Sequence, residues 1–465
     1  MSAADDNHLV FSGGGSTLVA TDAMLVDVES LRIIHFAVGG IVSRLHVAAG
    51  LGPSVEELER ATVAAREAQE RAGSLESALN TAMEQYADAE ARARQFVTNG
   101  AAVAGFLGGA LFGTWLKVAF GPIGAPAVLL AFPWLVRAMT DSGEGIGPDD
   151  VVMPDEINRL LANPLTVEAL RVAVGSADEA IYGFGGVPAL NQAILAAAGI
   201  TGVQSSAILV ATWGATAGLF RETPVDVTRT RTSPADVAPG FEGQLAAVPD
   251  TATAPGGAQL RIDKLTSASG DVSFQIFVGG TTDFNPLPTD DGFDMTSGIA
   301  EAADLPSGAL RGVKEAMRQA GITADTPITM TGYSLGGAIA AHLAASGDYN
   351  VSAVVTVGAP AGNVQLPADV HAVILENIED FVPALGGPQS NTEALIVRHR
   401  AFESPDDIPA GLAVPGHRMT YYSDAAAELD DSENRRAVEA RHRLDAFSAG
   451  AESRVSTYYR VDRPG

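Results

Sequence analysis

From about residue 258 onward, short apolar runs of strand length alternate with stretches of helical character. The predicted strands are 259–265, 272–278, 328–333, 351–357, 370–376 and 394–400, and the predicted helices are 307–320 and 336–345. A polar stretch joins the first two strands into a hairpin, and strands and helices alternate after it. Such alternation is typical of a mostly parallel sheet with flanking helices. Residues 258–425 are therefore predicted to form an α/β domain.

One junction between a predicted strand and helix carries a tight glycine turn. Residues 331–337 read Thr-Gly-Tyr-Ser-Leu-Gly-Gly and fit the pattern Gly-x-Ser-x-Gly. The turn would place Ser334 at the N-terminus of the helix, where the helix dipole favours a developing negative charge. We interpret Ser334 as a nucleophile. The structural alternative is a glycine turn with an incidental serine.

A nucleophilic serine requires hydrogen-bond donors for the oxyanion that it creates. Leu335, directly after the serine, offers one backbone N–H. The other is expected from a loop that leaves an earlier strand, where residues 277–282 read Phe-Val-Gly-Gly-Thr-Thr. Thr281 can donate through its N–H and its hydroxyl. Leu335 and Thr281 are thus the predicted oxyanion-hole residues, although a glycine-rich strand end without such a role fits the same letters.

The acid that orients the catalytic base is expected at the end of a later strand. Glu376, Glu379 and Asp380 all lie where the predicted strand 370–376 ends. Their spacing alone does not choose among them, so all three remain candidates for the acid at this point.

Three histidines follow these acids, namely His399, His417 and His442. His399 falls inside the predicted strand 394–400, where a polar residue is more often on the outward face. His442 falls in a charged C-terminal helix and is expected to be solvated. His417 follows a Pro-Gly turn, and a loop at the C-terminal edge of the sheet is where the base is needed. We therefore predict His417 as the base.

Four segments of the domain form a wider pattern. They are Gly-Gly-Thr at 279–281, Gly-Tyr-Ser-Leu-Gly-Gly at 332–337, Val-Gly-Ala-Pro-Ala-Gly-Asn at 357–363 and Asn-Ile-Glu-Asp-Phe-Val-Pro at 377–383. In this order they resemble the class 3 lipases, the fungal triacylglycerol-lipase type within the α/β-hydrolases. A histidine with a tyrosine shortly after it, here His417 and Tyr421, completes the resemblance. The chain differs from the family at Tyr333 and Gly279, where the family has histidine and arginine, and these differences bear on substrate class.

The resemblance covers residues 258–425 and implies an α/β-hydrolase fold. It implies a serine hydrolase that cleaves carboxylic esters, with lipid esters or small esters as substrates, through an acyl-enzyme. The aspartate of the fourth segment is the family's triad acid, so the implied triad is Ser334, Asp380 and His417. No cofactor and no metal are expected.

Residues 1–99 are predicted to form an all-α region with a long helical hairpin. Apolar residues recur at helical spacing over 20–48, and steps of three and four continue without a slip over 55–97. Such a hairpin can oligomerise or bind a helical partner. It also resembles type VII secretion substrates, which are exported without an ordinary signal peptide. Their signal Tyr-x-x-x-Asp/Glu is matched by Tyr86 and Glu90, whereas their Trp-x-Gly turn is not matched at 49–52.

The remaining segments are assigned by composition. Residues 100–225 are predicted to be an apolar, Gly- and Ala-rich helical region, and the stretch 101–136 within it is predicted either to contact a membrane or to form a buried hairpin. A second apolar stretch spans 187–220. Residues 226–257, rich in Thr, Pro, Ala, Gly and Asp, are predicted to be a linker, and 426–465 a helical tail.

The formal net charge of −27 argues against nucleic acid as a partner, because phosphate backbones attract basic surfaces. The chain has no cysteine, which excludes disulfides and thiolate metal sites. Three interpretations remain open: an exported lipase or esterase, a cytoplasmic or membrane-attached esterase with a helical oligomerisation or anchoring half, and a non-catalytic scaffold. The intact set of Ser334, Asp380 and His417 argues against the scaffold.

Overall fold

The computed structural model describes residues 9–12, 155–175, 220–285, 289–391, 393–411 and 413–464, together with Val63, Ala64 and Arg66. The chain divides into two units, residues 14–100 and the remainder. In the first unit, the three described residues are helical. The rest of the predicted hairpin, Tyr86, Glu90, the stretch 101–136 and residues 187–219 lie outside the described residues. All the other described residues belong to the second unit.

The described elements of this unit are strands, helices and short 3-10 turns. The strands are β1 (Leu9–Ser12), β2 (Asp226–Pro234), β3 (Leu260–Ser267), β4 (Val272–Val278), β5 (Ile328–Tyr333), β6 (Val351–Val357), β7 (His371–Asn377), β8 (Leu395–His399) and β9 (Ala451–Asp462). The helices are α1 (Asp155–Leu161), α2 (Pro164–Gly175), α3 (Gly240–Ala246), α4 (Met295–Ala302), α5 (Gly308–Ala320), α6 (Leu335–Ser346), α7 (Met419–Asp431) and α8 (Arg435–Ala449). The 3-10 turns are Pro383–Gly386, Pro405–Asp407 and Pro415–His417.

All nine described strands form one mixed sheet in the order β1-β8-β7-β6-β5-β4-β3-β9-β2. The central strands β4 to β8 are parallel to one another. The pairs at both sides of them, which include the predicted hairpin of β3 and β4, are antiparallel. The α/β arrangement predicted for the C-terminal half is therefore confirmed in this form, with a parallel centre and antiparallel edges.

Helices cover both faces of the sheet. Successive residues of a strand point to opposite faces, so Val354 of β6 packs with α5 and α6, whereas its neighbours Ala353 and Val355 pack with α3, α7 and α8. Ser307 caps the N-terminus of helix α5, and its side chain accepts the N–H of Leu310. Gly321 follows the last residue of the helix as its C-cap, and its φ of 85° lies in the left-handed region. Among the described helices, none is both long and apolar enough to cross a membrane.

The prediction that residues 226–257 form a linker is wrong, because this segment contains β2 and α3. β2 is the outermost strand beside β9, and among its residues Val227, Thr230 and Ser233 are half-buried whereas the others are exposed. An edge strand of this kind needs few apolar residues, which is why its composition suggested a linker. The short helix α3 buries Phe241 and Leu245, four residues apart, on the face of the sheet that α7 and α8 cover.

The predicted helical tail 426–465 is correct only as far as Ala449. After α8 the chain returns to the sheet as β9, which lies between β3 and β2. Tyr459 and Val461 of β9 are fully buried. The charged residues of α8 precede this strand, and its own sequence does not alternate regularly between apolar and polar residues, so no strand was predicted here. The sheet also includes β1, β2 and β9, so the predicted domain 258–425 is too narrow. The predicted all-α region 1–99 contains one of its strands, β1.

Candidate active site

Ser334 occupies the sharp turn between β5 and α6. Its backbone angles are φ 54° and ψ −123°, a combination that a residue with a side chain rarely adopts. Although Ser334 stands at the N-cap position of α6, its hydroxyl does not cap the helix and is directed to His417 instead. A strained serine at a strand–turn–helix junction, with its hydroxyl directed to a histidine, is the geometry expected for a nucleophile elbow.

Two glycines of the turn are required by close backbone approach. A Cβ at Gly332 would lie 2.2 Å from the carbonyl oxygen of Gly336. A Cβ at Gly336 would lie 2.3 Å from the carbonyl oxygen of Val278, at the end of β4. Both glycines of the Gly-x-Ser-x-Gly pattern are thus explained by contact between the strand ends and the first turn of α6.

Ser334, His417 and Asp380 form a continuous hydrogen-bonded array. The Oγ of Ser334 lies 2.9 Å from Nε2 of His417, and Nδ1 of His417 lies 2.6 Å from Oδ2 of Asp380. Because the carboxylate accepts at Nδ1, that nitrogen carries the proton and Nε2 can accept the serine proton. Asp380 is fully buried, whereas His417 retains a small exposed area.

His417 is held by contacts to its backbone and its ring. The Pro415–His417 turn starts after Val414, whose φ of 49° is unusual for a β-branched residue. Asn377, the last residue of β7, donates from Nδ2 to the carbonyl of Gly416 at 2.8 Å. The hydroxyl of Tyr333 donates to the carbonyl of His417, and the two rings stack with centroids 5.0 Å apart. The histidine ring therefore has a defined orientation toward the serine.

Asp380 accepts two further hydrogen bonds. The N–H of Val382 donates to Oδ1 at 2.9 Å, and the hydroxyl of Tyr422 donates to Oδ2 at 2.7 Å. Burial, and then the negative charge of Asp380, raise the pKa of Tyr422 well above its ordinary value. The same two causes raise the pKa of Tyr333. Both phenols thus stay protonated, and the carboxylate is fixed by neutral donors.

The competing acids have other partners. The Glu379 carboxylate accepts the N–H of Ala401 at 2.9 Å. Glu376 forms a buried ion pair with Arg171 of α2, at 2.9 Å. Asp380 is the one of the three that reaches His417, and the choice that spacing left open is decided by the conformation of the chain after β7.

The competing histidines also lie elsewhere. His442 is exposed on α8, as predicted. His399 is buried, with Nδ1 2.8 Å from Oδ1 of Asn377, so the prediction of an outward-facing side chain is wrong. The error arises because His399 lies on the same face of β8 as Leu395 and Val397, the face that packs against α7, and the hydrogen bond to Asn377 compensates for burial of the imidazole.

The predicted oxyanion-hole residues come from the two segments that flank Ser334. Leu335 is the first residue of α6, and the first N–H groups of a helix have no partner within it. Gly280 lies against the elbow, since a Cβ there would be 3.2 Å from Cβ of Ser334. Thr281 follows it and is half-buried. The structure thus brings the Thr281 segment beside the serine.

Three residues of this site were not predicted: Tyr333, Asn377 and Tyr422. Tyr333 and Asn377 were present in motifs and Tyr422 is adjacent to one, but motif spacing does not show which donor reaches which acceptor. The resemblance pointed to Tyr421 as the tyrosine after His417; its ring packs on Phe402 instead, and the adjacent Tyr422 contacts Asp380. Helical rotation between consecutive positions of α7 separates the two side chains by about 100°.

No group of His, Asp and Glu side chains that could hold a metal ion occurs in the part of the chain that the structure describes. Comparisons of this chain with protein-family models, with curated proteins and with solved structures gave no match.

Proposed function

We propose that this protein is a serine hydrolase that cleaves carboxylic esters through an acyl-enzyme. The observation that carries the proposal is the array in which Ser334 Oγ lies 2.9 Å from His417 Nε2 and His417 Nδ1 lies 2.6 Å from Asp380 Oδ2. The strained elbow at Ser334 supports it independently, because such strain is maintained where a side chain must be presented to a substrate.

In the proposed reaction, Ser334 Oγ attacks the carbonyl carbon of the ester while its proton passes to His417 Nε2. The carbonyl oxygen becomes an oxyanion, which the backbone N–H of Leu335 and the N–H or hydroxyl of Thr281 stabilise. The ester C–O bond then breaks and the leaving alcohol takes the proton from His417. A water molecule, activated by the same histidine, attacks the acyl-enzyme and releases the carboxylic acid. Asp380 orients the imidazole and stabilises its charged form throughout.

We assign the described sheet and its helices to the α/β-hydrolase fold. Five parallel central strands, helices on both faces and a serine elbow after one of those strands are the features that support this assignment. The chain order Ser334, Asp380, His417 is also the order in which this fold supplies its triad.

The proposed substrates are lipid esters or small neutral esters. The similarity of four segments to class 3 lipases supports lipid esters. The net charge of −27 disfavours strongly anionic substrates, since they would be repelled before they reach the site.

We propose further that the hairpin 20–97 directs export by a type VII route and that 101–136 meets a lipid phase. The Tyr86–Glu90 spacing and the apolar composition support these two proposals. The alternative is a cytoplasmic or membrane-attached esterase in which the helical half oligomerises or anchors the chain.

The test is a panel of p-nitrophenyl esters and lipids, assayed with wild type and Ser334→Ala. The variant is expected to lose activity by a factor on the order of 10⁶, as deletion of a triad nucleophile does elsewhere. Ser346→Ala, at the other end of the same helix, is the matched control and should retain wild-type rates. A Ser334→Ala protein that hydrolyses esters like wild type would exclude Ser334 as the nucleophile.

A further inference from the structure

Helices α1 and α2 come from the part of the chain that precedes the predicted hydrolase domain, yet they pack on the loops that carry the triad. Asp155 Oδ1 accepts the N–H of Gly411 at 3.0 Å, and Asn158 Oδ1 accepts the N–H of Val414 at 3.3 Å. Both amides belong to the loop that ends in the Pro415–His417 turn. Asn158 is almost fully buried, so its bond to Val414 lies in the interior, whereas the bond from Gly411 to Asp155 lies at the surface.

The contact with Val414 is informative because Val414 is strained. Its left-handed backbone conformation directs the chain into the turn that presents His417. Such a conformation is unfavourable for a β-branched residue and persists only when surrounding contacts hold it. Asn158 holds it by accepting the amide of the strained residue itself.

Helix α2 contacts the segment that carries the acid. Arg171 Nη2 donates to Glu376 Oε2 at 2.9 Å, and Arg171 Nη1 donates to the carbonyl of Gly387 at 3.5 Å. These residues lie on either side of Asp380. α2 also packs against the Pro383–Gly386 turn, and the exposed fractions of Arg171 and Glu376 are 4% and 1%.

An apolar contact connects the same helices to the base loop. Ala162, which follows α1, is buried with Phe402 and Ile408 in a small cluster of its own. Tyr421, four residues after His417, packs its ring on Phe402. Hydrogen bonds, an ion pair and apolar packing thus act together on the two loops.

We propose that α1 and α2 are a positioning element of the active site: they hold the loops of His417 and Asp380 in register with Ser334, so that catalysis depends on the N-terminal half of the chain. This inference rests on the proposed hydrolase function. Asn158 is its main positioning residue, and Asp155 and Arg171 support it.

The test compares Asn158→Leu with Asn158→Asp in the full chain. Leucine has a similar volume but no acceptor for the Val414 amide, whereas aspartate keeps one. Misplacement of a catalytic group by about 1 Å costs up to about 10²-fold in rate, so Asn158→Leu should lower kcat roughly 10- to 100-fold with KM nearly unchanged. Asn158→Asp should recover most of that loss. Arg159→Gln, an exposed substitution on the same helix, is the matched control and should behave like wild type.

Hydrogen exchange at Gly411 and Val414 gives a second reading that does not require activity. We expect faster exchange at Val414 in Asn158→Leu and unchanged exchange in Arg159→Gln. If Asn158→Leu does not fold, Asp155→Ala, at a half-buried position, replaces it with Gly411 as the reporter. Unchanged exchange, or faster exchange with wild-type kcat, would overturn the positioning role. If wild type has no esterase activity but Asn158→Leu still shows faster exchange at Val414, the proposed function is refuted and the structural coupling remains supported.

Discussion

Glu379 and Asp380, adjacent residues just after β7, have different hydrogen-bond partners. Asp380 contacts His417 and Tyr422, whereas the Glu379 carboxylate accepts the N–H of Ala401. Burial raises the pKa of Glu379, and the hydrogen bond from Ala401 opposes that effect. The two residues therefore differ in what their charge does: only the charge of Asp380 faces the imidazole.

We expect Asp380→Asn to lower kcat by a factor on the order of 10⁴, because the amide cannot fix the required tautomer of His417. Glu379→Gln should change kcat by no more than a few fold, since a glutamine oxygen can still accept from Ala401. Steady-state ester hydrolysis by the two purified variants checks this. The opposite ranking would show that the acid is Glu379.

Tyr422 tests whether the donors around Asp380 are part of the site. Tyr422→Phe removes the hydroxyl that donates to Asp380 Oδ2 and accepts from the N–H of Asn377. The free energy of unfolding should fall by about 1.5–3 kcal/mol, the usual range for a hydrogen bond to a charged group. We also expect kcat to fall while KM is preserved, because the carboxylate is less firmly oriented. Urea unfolding and ester kinetics measure the two effects.

Tyr421→Phe is the control for that variant. Tyr421 is its immediate neighbour and packs its ring on Phe402, a contact that phenylalanine keeps. Equal losses in the two variants would contradict a specific role for the Tyr422 hydroxyl.

At the scale of elements, α4 and α6 are joined by one polar contact. Glu301, nearly fully buried on α4, has Oε1 2.5 Å from His342 Nδ1 on α6, and its Oε2 accepts the hydroxyl of Ser307 at 2.6 Å. Burial acts to lower the pKa of His342, but the hydrogen bond and the charge of Glu301 outweigh it and the net pKa is raised. The pair borders a cavity of about 510 Å³, so protons can reach it without unfolding.

This raised pKa predicts a pH dependence of stability. The folded state binds the His342 proton more tightly than the unfolded chain, whose histidine titrates near 6.5. The contribution of the pair is therefore complete below about pH 6.5 and is lost as the pH rises through the higher folded value. In urea unfolding between about pH 6 and 9, His342→Gln should show a smaller decline in stability than wild type. Parallel curves for the two proteins would contradict the assignment.

At the scale of the whole molecule, the sheet is completed by residues from near both ends of the chain. β1 pairs with β8 at one edge, and β9 lies between β3 and β2 near the other. Arg463, just after β9, pairs with Asp294 at 2.9 Å and with Glu222 at 3.0 Å. The last strand therefore connects α4, the residues before β2 and the sheet.

Removal of residues 451–465 is expected to abolish cooperative unfolding. It would separate β2 from the sheet and leave Asp294 without its buried partner, and breaking a buried ion pair alone costs about 3–5 kcal/mol. Circular dichroism melting and size-exclusion chromatography measure the outcome. Removal of Pro464 and Gly465 alone keeps Arg463 and should leave melting unchanged. A cooperative melt at the wild-type temperature after the longer deletion would show that β9 is dispensable.

Local pattern was sufficient for the elements that are buried or constrained on their own. The strands β4, β5 and β6 begin and end at the predicted residues, because short runs rich in β-branched and aromatic residues, bounded by turns, favour strands. The elbow was predictable because its Gly-x-Ser-x-Gly pattern is local: Gly332 is required by contact with the backbone of Gly336, four residues later, although Gly336 is required by contact with the distant Val278. β2, α3 and β9 were not, since their stability comes from neighbours that are distant in sequence.

The sequence alone thus determined the strand–helix alternation, the position of Ser334 in a strained turn and the short set of acids and histidines that could serve it. The resemblance to a known family selected Asp380 from that set, and the Pro-Gly turn together with the resemblance selected His417. Only the tertiary structure decided that His417 lies within hydrogen-bond distance of both Asp380 and Ser334, that Tyr422 and not Tyr421 supports the array, and that α1 and α2 pack on both loops. The physical reason is range. Turn geometry and hydrophobic period act between residues a few positions apart, whereas a hydrogen bond between Asn158 and Val414 depends on the packing of the whole sheet and its helices.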